Sequence, residues 1–307
     1  MRRTIHALLC TLLVACTSGG GGTAPTRSPA SEGGGDAPVV IASFNFSESS
    51  LVAEIYAQAL ERAGVPVRRE LALGPRELVQ PALVQGFIDL VPEYLGSALR
   101  SVDPTAAVPP GDAEAVRAAL DVAVAPWGLE VLTPAPAQDQ NGLVVTRDRA
   151  DALGLRTVSD LRNHASTMTL GGPAECPTRP LCLLGFEQVY GLQFAQFIPL
   201  ANLSQEVTAL EQGVIDVAVM FTTDGRLGDP ALVLLEDDRQ LQPAENLVPM
   251  VSTRAIERHG VQLIDALDAV SSQLTSTSLT FLNWRVDVAQ RDIAAEASGW
   301  LSRHLPP

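Results

Sequence analysis

Residues 82–89 read ALVQGFID and residues 209–216 read ALEQGVID, six identities in eight positions at an offset of 127. In each copy an amphipathic helical stretch meets a glycine, Gly86 or Gly213, suited to end a helix in the left-handed conformation. An apolar run follows, at 87–91 in one copy and 214–221 in the other, and reads as a buried strand. Upstream of the first copy lie strand-like 39–43, a helical stretch at 49–63 and strand-like 67–71; upstream of the second lie 167–170, a helix around 185–190 and 197–199. Each half therefore reads β-α-β-α-β, the order that makes a mostly parallel sheet with helices on both faces. Two such lobes leave a cleft, and ligands of these sheets sit beyond the strand C-termini, near helix N-termini. The runs 142–146 and 247–252 read as the two segments joining the lobes, a hinge with two crossings. From 254 to 304 the pattern is helical and is expected to pack on the first lobe.

The N-terminus reads as an address. Arg2 and Arg3 precede eleven mostly apolar residues, 5–15, too short to span a bilayer and suited to the apolar stretch of a signal peptide. They end in Leu13-Val14-Ala15-Cys16, which resembles the lipobox of bacterial lipoproteins, where cleavage falls before a Cys that is then acylated. A plain secretory signal with an incidental Cys is the other reading. The stretch 16–38 is Gly, Ser, Thr, Pro and Ala with few large apolar side chains and reads as a flexible tether. The expected organisation is thus signal peptide 1–15, tether 16–38, one lobe from 39–140 plus 250–307, and a second from 141–249. Of the four Cys, Cys176 and Cys182 remain for an exported body, and a disulfide is expected. A metal pair is disfavoured, because no His or further Cys lies near them.

Composition excludes several chemistries. The formal charge of −14 argues against a nucleic-acid binder, which needs a basic face. Every basic residue is Arg; without Lys there is no phosphate-binding Walker lysine and no Schiff base. No metal, cofactor or catalytic residue is expected, since no Ser-His-Asp context or ligand cluster is visible. An enzyme on the same fold and a lipoprotein adhesin stand as the other classes. Product formation would mark the first, and an exposed apolar patch without a hinge the second.

Three stretches then resemble one family. VIASFNFSESSLVAEIYAQAL at 40–60, LGPRELVQPALVQGFIDLVPEYLGSAL at 73–99 and FTTD at 221–224 resemble the osmoprotectant-binding proteins of ABC importers, which take glycine betaine, carnitine or choline. The likeness covers essentially 39–307. It implies a type II periplasmic-binding fold, attachment by lipid to the outer face of the cell membrane, and delivery of a small solute to a permease with its ATPase. It also implies a cage of aromatic rings around a quaternary ammonium, held by cation–π attraction. Tyr94 keeps its cage position, and Phe221 stands where Tyr is usual. Asn141 or Gly142 falls where another Tyr is frequent, and Glu245 near a further aromatic, so the cage is expected to be thinned. A different amphiphilic or aromatic solute is therefore the alternative ligand. Arg179 matches the family's Arg, a carboxylate-binding candidate, while the Cys176–Cys182 bridge replaces its Asp-Gly. Asn45, Ser49, Ser97 and Thr222 complete the candidate ligand contacts. Local roles compete with these: Ser47 or Ser49 as N-cap of the first helix, Thr222, Thr223 and Asp224 as a turn with a cap, Phe221 as core.

Overall fold

The computed structural model describes residues 37–106, 111–201 and 203–306. The expected signal peptide, the lipidation site Cys16 and the tether up to residue 36 lie outside them. Strands β1 (Val39–Phe44), β2 (Val67–Gly74), β3 (Leu90–Tyr94) and β4 (Leu129–Val131) come from the first half of the chain. Strands β5 (Asn141–Thr146), β6 (Thr169–Gly172), β7 (Gln196–Pro199), β8 (Val217–Phe221), β9 (Leu232–Leu234) and β10 (Leu247–Ser252) follow. They form two five-stranded sheets, ordered β2-β1-β3-β10-β4 and β7-β6-β8-β5-β9. In each, the strands of the β-α-β-α-β half run parallel, and the strand arriving from the other lobe runs antiparallel: β10 between β3 and β4, β5 between β8 and β9. This is the expected two-lobed α/β fold. Strand β10 belongs wholly to the first sheet, so the return crossing comes before Leu247, ahead of the expected boundary at 249.

Burial follows strand periodicity. In the second sheet Leu143, Val145, Val217 and Val219 pack into one apolar cluster, whereas Val144, Ala218 and Met220 pack into another on the opposite face. The C-terminal segment forms helices Thr253–His259, Val261–Gln273, Ser276–Asn283 and Ile293–His304. Their buried faces, with Leu267, Leu279 and Trp300, join the first lobe's core. Among the described residues no helix is long and apolar enough to cross a membrane.

The repeated octapeptide has one structural job, performed twice. Gly86 and Gly213 take φ of 77° and 68°, ending helices Arg76–Val84 and Leu203–Glu211. Phe87 N–H bonds back to Ala82 O, and Val214 N–H to Ala209 O, both at 2.9 Å, completing the same C-terminal turn. This turn corrects the expected strand starts at 87 and 214. Those residues fold back on the helix, so β3 and β8 begin three residues later, and Phe87 is 68% exposed. The repeated aspartates tie each turn to the sheet. Asp89 accepts from Val40 N–H at 3.1 Å, and Asp216 from Thr169 N–H at 2.7 Å, at the start of β1 and β6. Arg254 and Arg258 neutralise Asp89, and Arg149 neutralises Asp216.

The Cys176–Cys182 disulfide is present, with a Cα–Cα distance of 5.2 Å. It closes a loop on the cleft side of the second lobe, held by Asn141 Nδ2 and Gln242 Nε2 donating to Leu181 O at 3.1 and 3.0 Å. Both thiols are expected to resist alkylation until reduced, and reduction should cost about 2 kcal/mol of stability for so short a loop. Rapid labelling of the two cysteines in native, unreduced protein would contradict the bridge.

Candidate functional site

The cleft between the sheets has a volume of about 460 Å³, within the roughly 300–1,000 Å³ of sites that enclose small organic ligands. Aromatic rings line the first-lobe side. Phe46, in the loop between β1 and helix Ser47–Arg62, lies 5.0 Å from Phe221, 6.2 Å from Tyr94 and 6.0 Å from Phe44 between ring centroids. Phe44 has the guanidinium of Arg76 over its ring at 5.2 Å, which leaves Phe46, Tyr94 and Phe221 as the ring surfaces not already spent on a protein cation. Phe46 and Phe44 were not expected as rings, although Phe46 stands inside the Asn45-Phe46-Ser47-Glu48 loop that carries the resemblance. The cleft wall thus carries more rings than Tyr94 and Phe221 alone.

Of the sequence candidates, Asn45, Tyr94, Ser97, Asn141, Arg179, Phe221 and Glu245 come together on the cleft wall. Ser49 does not. It is fully buried and its Oγ accepts from Phe44 N–H at 2.9 Å, fixing the loop that presents Phe46. Neither Ser47 nor Ser49 caps the helix; Phe46 occupies the N-cap without a side-chain bond. Thr222 belongs to the hinge: its Oγ1 accepts from Gln140 N–H at 2.9 Å while its own N–H bonds Gln140 O. Asp224 does cap, accepting from Arg226 N–H. At the 141/142 alternative, Asn141 is the residue on the cleft. A Cβ on Gly142 would meet Leu234 Cδ1 at 2.3 Å instead.

The charges of the wall are unequal in freedom. Arg76 donates to Glu93 at 3.0 and 2.8 Å. Arg179, on the second lobe, bridges to Glu77 on the first at 2.9 Å and to Glu175 at 3.4 Å, so its guanidinium is engaged rather than waiting for a ligand carboxylate. Glu245 is buried and receives Ser97 N–H and Oγ–H at 3.0 and 2.8 Å. Burial pushes its carboxyl up to about 7, against those donors. Each arginine on the wall has a carboxylate partner, so the wall presents no free guanidinium to the cleft.

Behind the rings sits a polar knot that sequence reasoning did not anticipate. Glu48, in the first turn of its helix, accepts from Tyr94 Oη–H at 2.6 Å and from Thr223 Oγ1–H and Asn283 Nδ2–H. Those three donors come from β3, from the end of β8 and from the C-terminal helices. Asp139, on the outgoing crossing, accepts from Thr223 N–H at 3.1 Å and lies against Glu48. Burial, then the charge of Glu48, holds the Asp139 carboxyl well above the usual range, and burial raises Glu48 as well. The pair holds a proton between two carboxyls, because two bare charges so close in a buried site repel. Burial and Glu48 likewise keep Tyr94 a neutral phenol that donates.

Two α/β lobes around a ring-lined cleft have the build of a solute-binding protein. The chain belongs to the family described as the substrate binding domain of ABC-type glycine betaine transport systems, which it matches over residues 37–303. It is 29% identical over 272 residues to a glycine-betaine-binding protein of Pseudomonas aeruginosa, covering 84% of this chain and 85% of that one. It is 28% identical over 276 residues to the glycine betaine-binding protein YehZ of Escherichia coli, covering 87% and 90%. A crystal structure described as a glycine betaine/carnitine/choline ABC transporter shares the fold, with a TM-score of 0.69 at 22% identity, over 87% of this chain and 98% of that chain.

The sign of the buried-pair effect can be tested. Carboxyls raised in the folded state bind protons that the unfolded chain has released, so stability falls as pH rises above about 4 through the raised folded values. Asp139→Asn keeps an acceptor for Thr223 and can donate to Glu48, while removing the like charge. It should raise Tm at about pH 8, by about 2–4 °C for each kcal/mol relieved, and change it little near pH 4. Unfolding scans showing a loss at pH 8, or the same gain at both, would contradict the shared proton.

Proposed function

We propose that the protein is the extracytoplasmic capture component of an ABC importer, taking a solute with a quaternary-ammonium head, of the glycine betaine or choline type, into the cleft between its lobes. The observation that carries this reading is the ring cluster Phe46, Tyr94 and Phe221 on a wall whose arginines are all paired with carboxylates. A permanently charged methylated head is weakly hydrated and is attracted to ring faces by about 0.5–2 kcal/mol each. Names of the relatives support the same class of ligand. The bound protein then presents the closed cleft to a permease with its ATPase, the role of this family in transport. We further infer that Cys16 carries the lipid that keeps the body at the outer face of the membrane, with the Gly- and Ser-rich stretch after it as the tether.

Calorimetry with glycine betaine, choline and carnitine tests the ligand class. Phe46→Ala should weaken whichever binds by about 0.5–2 kcal/mol, or about twofold to thirtyfold, while Phe46→Trp keeps the affinity. No binding of any quaternary ammonium by the wild type, or unchanged affinity in Phe46→Ala, would remove the ring cluster from the explanation. Cell fractionation tests the anchor. Cys16→Ser should move the protein from the membrane fraction to the soluble one, and mass spectrometry finding Cys16 unmodified in the native protein would refute it.

A further inference from the structure

The cleft wall continues past the rings. Asp287 lies beside Ser47, one residue from Phe46, and beyond them the wall is made by Arg226, Ser204 and Glu206. The cation here is spent within the protein. Arg226 Nε and Nη2 donate to Asp224 at 2.9 and 2.7 Å, and its Nη1 reaches Ser204 Oγ at 3.3 Å. Glu206 has no such arrangement. It sits on helix Leu203–Glu211, is 1% exposed, lines the cleft, and its Oε2 has no hydrogen-bond partner among the described residues. Leaving a buried acceptor unpaired is costly, a cost that a donor entering from the cleft would remove.

We propose that Glu206 is the recognition group of a second polar subsite, selecting, among quaternary-ammonium solutes, those whose remote end carries an N–H donor such as an amine rather than a carboxylate. The inference rests on the ring-cluster reading above and adds the other end of the ligand. A remote carboxylate finds Arg76, Arg179 and Arg226 already engaged; a remote amine finds an unpaired acceptor. The groups acting on Glu206 are Arg226, which favours its charge, and Asp224, which opposes it. Asp287 adds a further carboxyl near the same arginine. Burial outweighs them and pushes Glu206 up to about 8, so at neutral pH the free site holds a proton. An entering ammonium would displace that proton to solvent as the ammonium–carboxylate pair forms.

The test is calorimetry with trimethylammonium-alkylamines of increasing chain length, beside alkyl-trimethylammonium ions of matched length without the amine, on wild type and Glu206→Gln. The amine should tighten binding by about ten- to hundredfold at the length that reaches Glu206. The gain should vanish in Glu206→Gln, while the amine-free ions bind both proteins alike and report an intact ring cluster. Binding enthalpy of the best amine should vary with the buffer's ionisation enthalpy in the wild type, showing proton release, and not in the variant. No gain from the amine at any length, or an equal gain in Glu206→Gln, overturns the subsite and leaves the ring cluster standing. Failure of every trimethylammonium compound to bind the wild type overturns both.

Discussion

The arrangement of the lobes turns on the carboxyl of Glu48. It is buried at the entry of the first long helix and draws donors from Tyr94, Thr223 and Asn283. These belong to the first sheet, to the end of the second sheet and to the C-terminal helices. One acceptor thereby fixes a ring of the ligand wall, the hinge and the helical cover relative to one another. A buried carboxyl is worth keeping only if every donor is in place, since an unsatisfied one is costly. The neighbouring Asp139 makes the knot dependent on a proton as well. Positional accuracy at the rings is thus obtained from polar groups behind them.

The fold was legible because it is written twice. The octapeptide repeat marks, in each half, the helix end, the left-handed glycine and the aspartate that bonds to the first strand. Strand starts were misplaced by three residues because hydropathy does not register a helix-ending turn whose last residue, Phe87 or Val214, is apolar yet exposed. The same limit affected the site. Tyr94, Phe221, Ser97 and Glu245 could be named from the resemblance, since their place in the chain carries the information. Ser49 and Thr222 could not be told from ligand contacts. A hydroxyl that bonds the backbone and one that faces a cleft look identical until the chain direction around them is known. Phe46 was within a quoted motif, but a single Phe before a helix has no periodicity to reveal which way its ring points. The Glu48–Asp139 pair brings together residues 91 positions apart, and nothing local to either announces the other.

Charge in the cleft follows one economy. The chain uses only arginine as its strong cation, and a guanidinium's planar fork suits two-point pairing with a carboxylate. Arg76 with Glu93 and Arg226 with Asp224 are such pairs, both mostly buried. They stiffen the wall without presenting free positive charge. With the guanidinium charge balanced in this way, the rings present their negative faces to the cleft.

The bridge from Arg179 to Glu77 spans the mouth of the cleft from one lobe to the other, and both side chains keep substantial contact with water, at 29% and 59% exposure. Pairs this wet contribute about 0–1 kcal/mol and are screened by salt. Such a clasp can bias the closed form but cannot lock it. The buried bond from Thr223 to Glu48 and the Phe46–Phe221 ring pair also join the lobes, so parting them means breaking dry contacts as well as this wet one.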